Sequence, residues 1–132
     1  MVEIFQKIIL VFIVVWVLNC ANFVNGQMQP PALPRLETRC GWFDNPTPAN
    51  IWFTDRDGEW LIGVQGGYQA EGEWPWPKFK PRQWIKTNNN YGYGCACLRV
   101  RVDRTTKRVI EIKSSRARPL SACNNDKFLE KR

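Results

Sequence analysis

Between residues 95 and 103 the chain alternates: Ala96, Leu98, Val100 and Val102 occupy every second position, with Cys95, Cys97, Arg99, Arg101 and Asp103 between them. Side chains of an extended strand point to opposite faces in turn, so this stretch predicts a strand with one aliphatic face on a core and one face toward water. Just beyond it, KRVIEIK offers Ile110 and Ile112 to the same core, and DRTTK between the runs supplies a hairpin turn. Pairing Val100 with Ile110 and Leu98 with Ile112 also sets Arg99 opposite Glu111 and Asp103 opposite Lys107. Cross-strand charge pairs contribute only ~0.2–1 kcal/mol each. The register therefore rests on burial of the aliphatic face.

The same period marks a second hairpin in NIWFTDRDGEWLIGVQGG, where β-branched and aromatic runs flank DRDG. Alternating carboxylates at Asp55 and Asp57 suggest calcium, but the remaining oxygen ligands are missing and turn chemistry accounts for Asp57 and Gly58 without a metal. Upstream, NPTPAN reads as a shaped loop, because Pro46 and Pro48 remove donors and restrict their predecessors. Trp42, Trp52 and Trp60 sit in strand-like contexts and read as core. EWPWPKFKPRQW differs: its prolines keep it extended, and its aromatics alternate with Lys78, Lys80 and Arg82. Trp74, Trp76 and Phe79 are its candidate contacts with a membrane interface, a glycan or a protein; packing over an open sheet face is the plainer reading.

The amino end has no alternation. An apolar run, IILVFIVVWVL, extends from Ile8 to Leu18, too short for a bilayer, which needs about 20 residues, but suited to a secretory signal. FVNGQ follows as a cleavage site, so residues 1–26 read as a signal peptide cut after Gly26. Acylation of Cys20 in VLNC is the less favoured alternative, since Asn19 is a poor match for the small residue expected there. The expected location is periplasmic or secreted. Residues 27–38, QMQPPALPRLET, form a proline-rich tether, and the domain proper spans 39–132.

Export changes the cysteine arithmetic. Of five cysteines, the mature chain keeps Cys40, Cys95, Cys97 and Cys123, an even set that implies two disulfides in a small exported domain. Zinc fits less well, since C-x-C is not a common knuckle and the chain has no histidine. Cys95 and Cys97 lie roughly 6.5–7 Å apart on one strand face, at the limit for a bridge, so Cys40 and Cys123 supply the partners. Both connectivities remain open, with Cys95–Cys123 and Cys40–Cys97 marginally favoured.

RCGWFDNPTPAN, TDRDGEW, QGGY, YGYGCACL and PLSACNNDK together resemble an uncharacterised family of bacterial exported domains, a domain of unknown function found mostly in small proteins of Gram-negative bacteria. The similarity covers roughly Glu37 to Lys127; the Trp-Pro insert at 74–77 fits it less well. The resemblance implies an envelope or secreted location and carries over no activity, catalytic residue or cofactor.

Composition narrows the chemistry. Without histidine there is no Ser-His-Asp or Cys-His arrangement. Glu71 and Glu73 could act as an acid and base pair on a glycan, making a secreted glycan-acting enzyme the alternative; a solvated acidic loop is the plainer reading. No catalytic residue, metal ligand or cofactor is assigned. Charge is segregated: residues 27–77 carry three basic and seven acidic side chains, residues 78–132 fifteen and four. The basic half predicts an anion-binding field of Arg99, Arg101, Arg104, Lys107, Arg108 and Lys113, against the alternative of a surface that only confers solubility. The expectation is a mainly β domain, a small antiparallel sheet of hairpins with two disulfides and at most a short C-terminal helix. It would serve as a non-enzymatic binding or inhibitory module of the bacterial envelope. Its partner is unspecified: anionic envelope components or a protein, and not nucleic acid.

Overall fold

The computed structural model describes residues 2–4, 6–7 and 30–132, which fall in two units, Met1–Ala32 and Leu33–Arg132. In the first, residues 2–4 and 6–7 are helical. The apolar run Ile8–Leu18, the cleavage point at Gly26 and the lipidation alternative at Cys20 lie outside the described residues. Among the described residues no helix is long and apolar enough to cross a membrane.

The second unit begins without regular structure at its first residues and then forms β1 (Glu37–Thr47), β2 (Asn50–Asp55), β3 (Gly58–Gly63), β4 (Trp84–Asn88), β5 (Tyr91–Asp103), β6 (Arg108–Arg118) and a short helix α1 (Leu120–Asn124). Pairing runs β1-β2-β3-β6-β5-β4, and β1 also pairs with β5. That extra pairing closes five strands into a ring and leaves β4 as an added strand on the edge of β5. The β3–β6 contact, Leu61 with Arg108, is parallel, whereas the other strand pairings are antiparallel. The fold is thus mainly β, as expected, but its sheet is mixed: a small Greek-key barrel of the OB type.

Alternation builds the barrel interior. Phe43 from β1, Ile51 and Phe53 from β2, Trp60 and Ile62 from β3, Ala96, Leu98, Val100 and Val102 from β5, and Val109 and Ile112 from β6 form one buried cluster. Each large side chain contributes about 1.5–3 kcal/mol by leaving water. β1 serves both halves of the ring, pairing with β2 from Trp42 and with β5 from Glu37 to Asn45. At Gly41 the strands approach so closely that a Cβ would stand 2.0 Å from the Thr54 carbonyl oxygen. Only glycine fits.

The β5–β6 register departs from the sequence expectation. Val100 pairs with Ile112 rather than Ile110, Arg101 rather than Arg99 faces Glu111, and Asp103 pairs with Arg108 rather than Lys107. Register shifts between Arg99 and Val100 and between Arg101 and Val102 each add a residue to β6, and each bulge reverses the faces that follow. Val109 and Ile112, three apart, are therefore both buried, and Ile110 is half-buried. The bulged Ile110 carbonyl accepts the Glu71 N–H at 2.7 Å, tying the long β3–β4 crossover to the barrel.

NPTPAN is likewise more regular than expected: Asn45, Pro46 and Thr47 belong to β1, and the turn is residues 48–49. The register shift between Asp44 and Thr47 takes Pro46 out of the β1–β2 ladder, where its missing donor costs nothing. Trp42 and Trp60 are fully buried, but Trp52 is only half-buried. The DRDG hairpin forms as expected, with the Asp57 N–H bound to Asp55 Oδ1 at 2.8 Å and Gly58 at φ 108°.

A second cluster lies outside the barrel wall. Trp42, Cys95, Cys123 and Leu129 are buried together, with Tyr93, Leu120 and Ala122 against them, and Trp42 Nε1 donates to the Glu130 carbonyl at 2.8 Å. The Cys95–Cys123 disulfide fastens α1 there, and Cys40–Cys97 joins β1 to β5.

Candidate functional site

The inward alternation of β1 and β2 places Arg39 and Asp55 at one end of the barrel interior, beside Trp60, all buried. Arg39 Nη1 donates to Asp55 Oδ2 at 2.5 Å and to Asp57 Oδ2 at 2.9 Å, and its Nε donates to Glu37 Oε1 at 2.9 Å. Asp55 Oδ1 also accepts from Trp60 Nε1 at 3.0 Å, and the Arg39 guanidinium carbon stands 4.2 Å from the Trp60 ring centroid. Lys107, from the β5–β6 turn, places Nζ 4.5 Å from the same ring and donates to the Asp57 carbonyl. Arg104 reaches Glu37 at 2.7 Å and Asp57 at 3.8 Å. Together these groups make an ionic plug.

The plug floors a cleft of about 340 Å³ lined by Glu37, Thr38, Arg39, Cys40, Asp55 and Asp57 among others. Burial works against the Arg39 charge, but its hydrogen bonds to Asp55, Asp57 and Glu37 outweigh that and raise its pKa. The hydrogen bond from Arg39, aided by the charges of Arg104 and Lys107, holds the Asp57 carboxyl below its usual range. Carboxylates therefore converge here, but on a cation. Asp55 already accepts three hydrogen bonds, from Arg39, Trp60 and the Asp57 amide, which suits a structural anion better than a general acid. Among the described residues no cluster of potential ligands could hold a metal ion.

The outer face of the same wall carries the second charged region. Cross-strand pairing arranges it in rows: Thr38, Arg99 and Ser114; then Cys40, Cys97 and Arg116; then Trp42, Cys95 and Arg118. Neighbours on one sheet face at such offsets lie about 7 Å apart, so Arg99, Arg116 and Arg118 form a diagonal line beside the Cys40–Cys97 bridge. Among the described residues none of the three forms an ion pair. Arg118 Nη1 instead points at Cys97 Sγ, 3.8 Å away.

The six basic residues expected to form one field are thus divided. Arg99 is exposed and unpaired in that line. Arg101 pairs with Glu111 at 3.1 Å and Lys113 with the same carboxyl at 2.8 Å; Arg104 and Lys107 belong to the plug. Arg108 covers the Tyr68 ring at 4.7 Å. Sequence reasoning passed over Arg116 and Arg118, because simple alternation from Ile110 and Ile112 puts both on the core face; the bulge at Lys113 turns them to the side of the cysteines. Of the aromatic candidates, Trp74 and Phe79 pack on the barrel core, while Trp76 stays 47% exposed with its edge on Phe43 at 5.3 Å. Glu71 and Glu73 are exposed on the crossover.

Residues 34–130 match a family described as protein of unknown function (DUF4087). No curated protein and no solved structure matches the chain.

Proposed function

The chain belongs to the DUF4087 family, whose function is not established, and from that premise we propose that it is an exported, non-enzymatic binding module of the bacterial envelope. Its two disulfides point to an oxidising, extracytoplasmic compartment. The bound class is a phosphate-bearing envelope lipid surface, contacted by Arg99 and Arg116 with Arg118 at the end of their line. One observation carries this reading: these arginines stand in cross-strand rows that hold no carboxylate, and none of them forms an ion pair among the described residues, whereas the neighbouring basic residues are already paired or stacked. Guanidinium forks match phosphate oxygens, and an exposed unpaired fork keeps its donors for an outside anion.

The test is co-sedimentation of the oxidised mature domain with vesicles of phosphatidylglycerol and phosphatidylcholine, compared with phosphatidylcholine alone. Binding to the anionic vesicles that weakens steeply between low and physiological salt supports the proposal, since exposed charges are screened beyond about 8–10 Å at physiological ionic strength. Binding that is absent, or indifferent to salt or to R99E/R116E, overturns it. Capture of a soluble protein without vesicle binding would transfer the role to a protein partner.

A further inference from the structure

The two disulfides differ in what governs thiol exchange. Cys95 and Cys123 are 2% and 1% exposed, sealed in the second core beneath α1 and Leu129. Cys40, by contrast, is exposed and lines the cleft, while its partner Cys97 is buried. Attack on this bridge from solvent therefore meets Cys40 first. Behind the other sulfur stands Arg118, with Nη1 3.8 Å from Cys97 Sγ, and Arg116 is the cross-strand neighbour of Cys97. Neither arginine is neutralised by a carboxylate among the described residues. A cation beside a sulfur favours its thiolate, and a better-stabilised thiolate leaves faster.

We propose that Cys40–Cys97 is a thiol-exchange site, with Cys40 Sγ as the atom attacked, Cys97 Sγ as the leaving thiolate and Arg118 as the residue that stabilises it. The co-reactant is an external dithiol, such as a protein thiol pair, or two molecules of a small thiol. Its thiolate attacks Cys40 Sγ; a new S–S bond forms, the Cys40–Cys97 bond breaks, and the electron pair leaves on Cys97. The second external thiolate then attacks the external sulfur of the mixed disulfide and expels the Cys40 thiolate. Two electrons have passed to the bridge, the co-reactant is oxidised to a disulfide, and its two protons account for the two thiols formed.

The fold is arranged to survive this step. Cys40 and Cys97 face each other directly within a ladder that runs from Glu37 to Asn45 on β1. Backbone pairing continues on both sides of them, so opening the bridge removes no strand contact. The Cys95–Cys123 bond still holds α1. Arg118 also ends the arginine line, so the mapping is done without vesicles, where it reads the exchange site whether or not the line binds lipid.

The experiment is timed reduction of the oxidised full chain with reduced glutathione, quenched by alkylation and peptide-mapped, with near-ultraviolet circular dichroism in parallel. Cys40 and Cys97 should become alkylated at least about tenfold sooner than Cys95 and Cys123, with the aromatic signal retained. R118Q should slow the opening about three- to tenfold, and R118K should restore most of the rate. C97S incubated with glutathione disulfide should carry glutathione on Cys40. Simultaneous opening of both bridges with loss of the aromatic signal, or earlier opening of Cys95–Cys123, overturns the site. A wild-type rate in R118Q overturns the part given to Arg118. Should R118Q not fold, the pH profiles of alkylation in the reduced wild-type chain decide that part: Cys97 titrating below Cys40 supports it and coincident profiles overturn it.

Discussion

The barrel-end plug and the outer arginine line lie on opposite sides of one wall and both draw cations from the basic half of the sequence, yet they are electrostatic opposites. In the plug, Arg39, Arg104 and Lys107 meet Glu37, Asp55 and Asp57. On the outer face, Arg99, Arg116 and Arg118 meet none among the described residues. The difference arises from topology. β1 and the β2–β3 turn belong to the acidic half, and barrel closure brings them against the β5–β6 turn. Charge segregated along the chain is thereby interleaved in space, and an open field is left where the cross-strand rows hold no carboxylate, at Arg99, Arg116 and Arg118. The plug spends its charges on folding, whereas the line leaves its charges available to a partner.

The largest effect that could break this contrast is on stability at Arg39. The side chains of Arg39 and Asp55 are 6% and 4% exposed, and removing one member of a buried pair leaves the other without compensation, at a cost of about 3–5 kcal/mol. R39M should lower the denaturation midpoint accordingly. R39M/D55N should recover part of that loss, because the replacement amide keeps a carbonyl oxygen for Trp60 and the Asp57 amide while the unpaired charge is gone. A loss below 1 kcal/mol in R39M would mean that the plug is not a folding element.

Acid titration sharpens the same contrast through its sign. Asp57 is held below its usual range by the hydrogen bond from Arg39 and by nearby cations. Its contribution is present above the unfolded carboxylate value, about 3.9, and is lost as pH falls through the lower folded value. Asp44 behaves oppositely: burial pushes it up, and its pairing with Arg132 offsets only part of this. The folded chain holds that proton more tightly, so stability falls as pH rises from the unfolded value through the folded one. Thermal denaturation from pH 2 to 7 should show a shallower acid loss in D57N than in wild type. In D44N the decline on the alkaline side of the unfolded carboxylate value should disappear. Identical profiles in wild type and both variants would contradict these assignments.

Much of the barrel could be read from alternation: the inner face of β5, the DRDG hairpin, the cysteine set and the marginally favoured pairing of the cysteines all appear in the structure. The β5–β6 register could not, because bulges at Ile110 and Lys113 preserve the apolar count while shifting each partner, and one sequence contains no signal for an added residue. Ring closure was equally hidden, since it depends on β1 pairing with β5 across more than fifty residues, and no local pattern encodes that contact. The division of the basic residues was hidden for a related reason. Arg104 and Lys107 look free in the turn sequence, but the groups they meet, Glu37 on β1 and Asp57 in the β2–β3 turn, come near them only in the closed barrel.

The smallest expected stability effects fall at the surface, where paired and unpaired cations can be compared directly. R104E should lower stability by about 0.2–1 kcal/mol, the range of an exposed pair, because the Arg104 side chain is 62% exposed yet bonded to Glu37. K107E removes a cation from the Trp60 ring and places a carboxylate near Asp57, so the double variant R104E/K107E should melt measurably below wild type. R99E/R116E should change the melting temperature little, since neither side chain has an ion-pair partner to lose among the described residues. Vesicle binding should show the reverse order. R99E/R116E inverts the charge of the open line and should abolish salt-sensitive binding, whereas R104E/K107E should leave most of it, because the charges it changes were already compensated within the fold. Equal loss of binding in both double variants would mean that net charge governs association, and the distinction between the plug and the line would then have no bearing on binding.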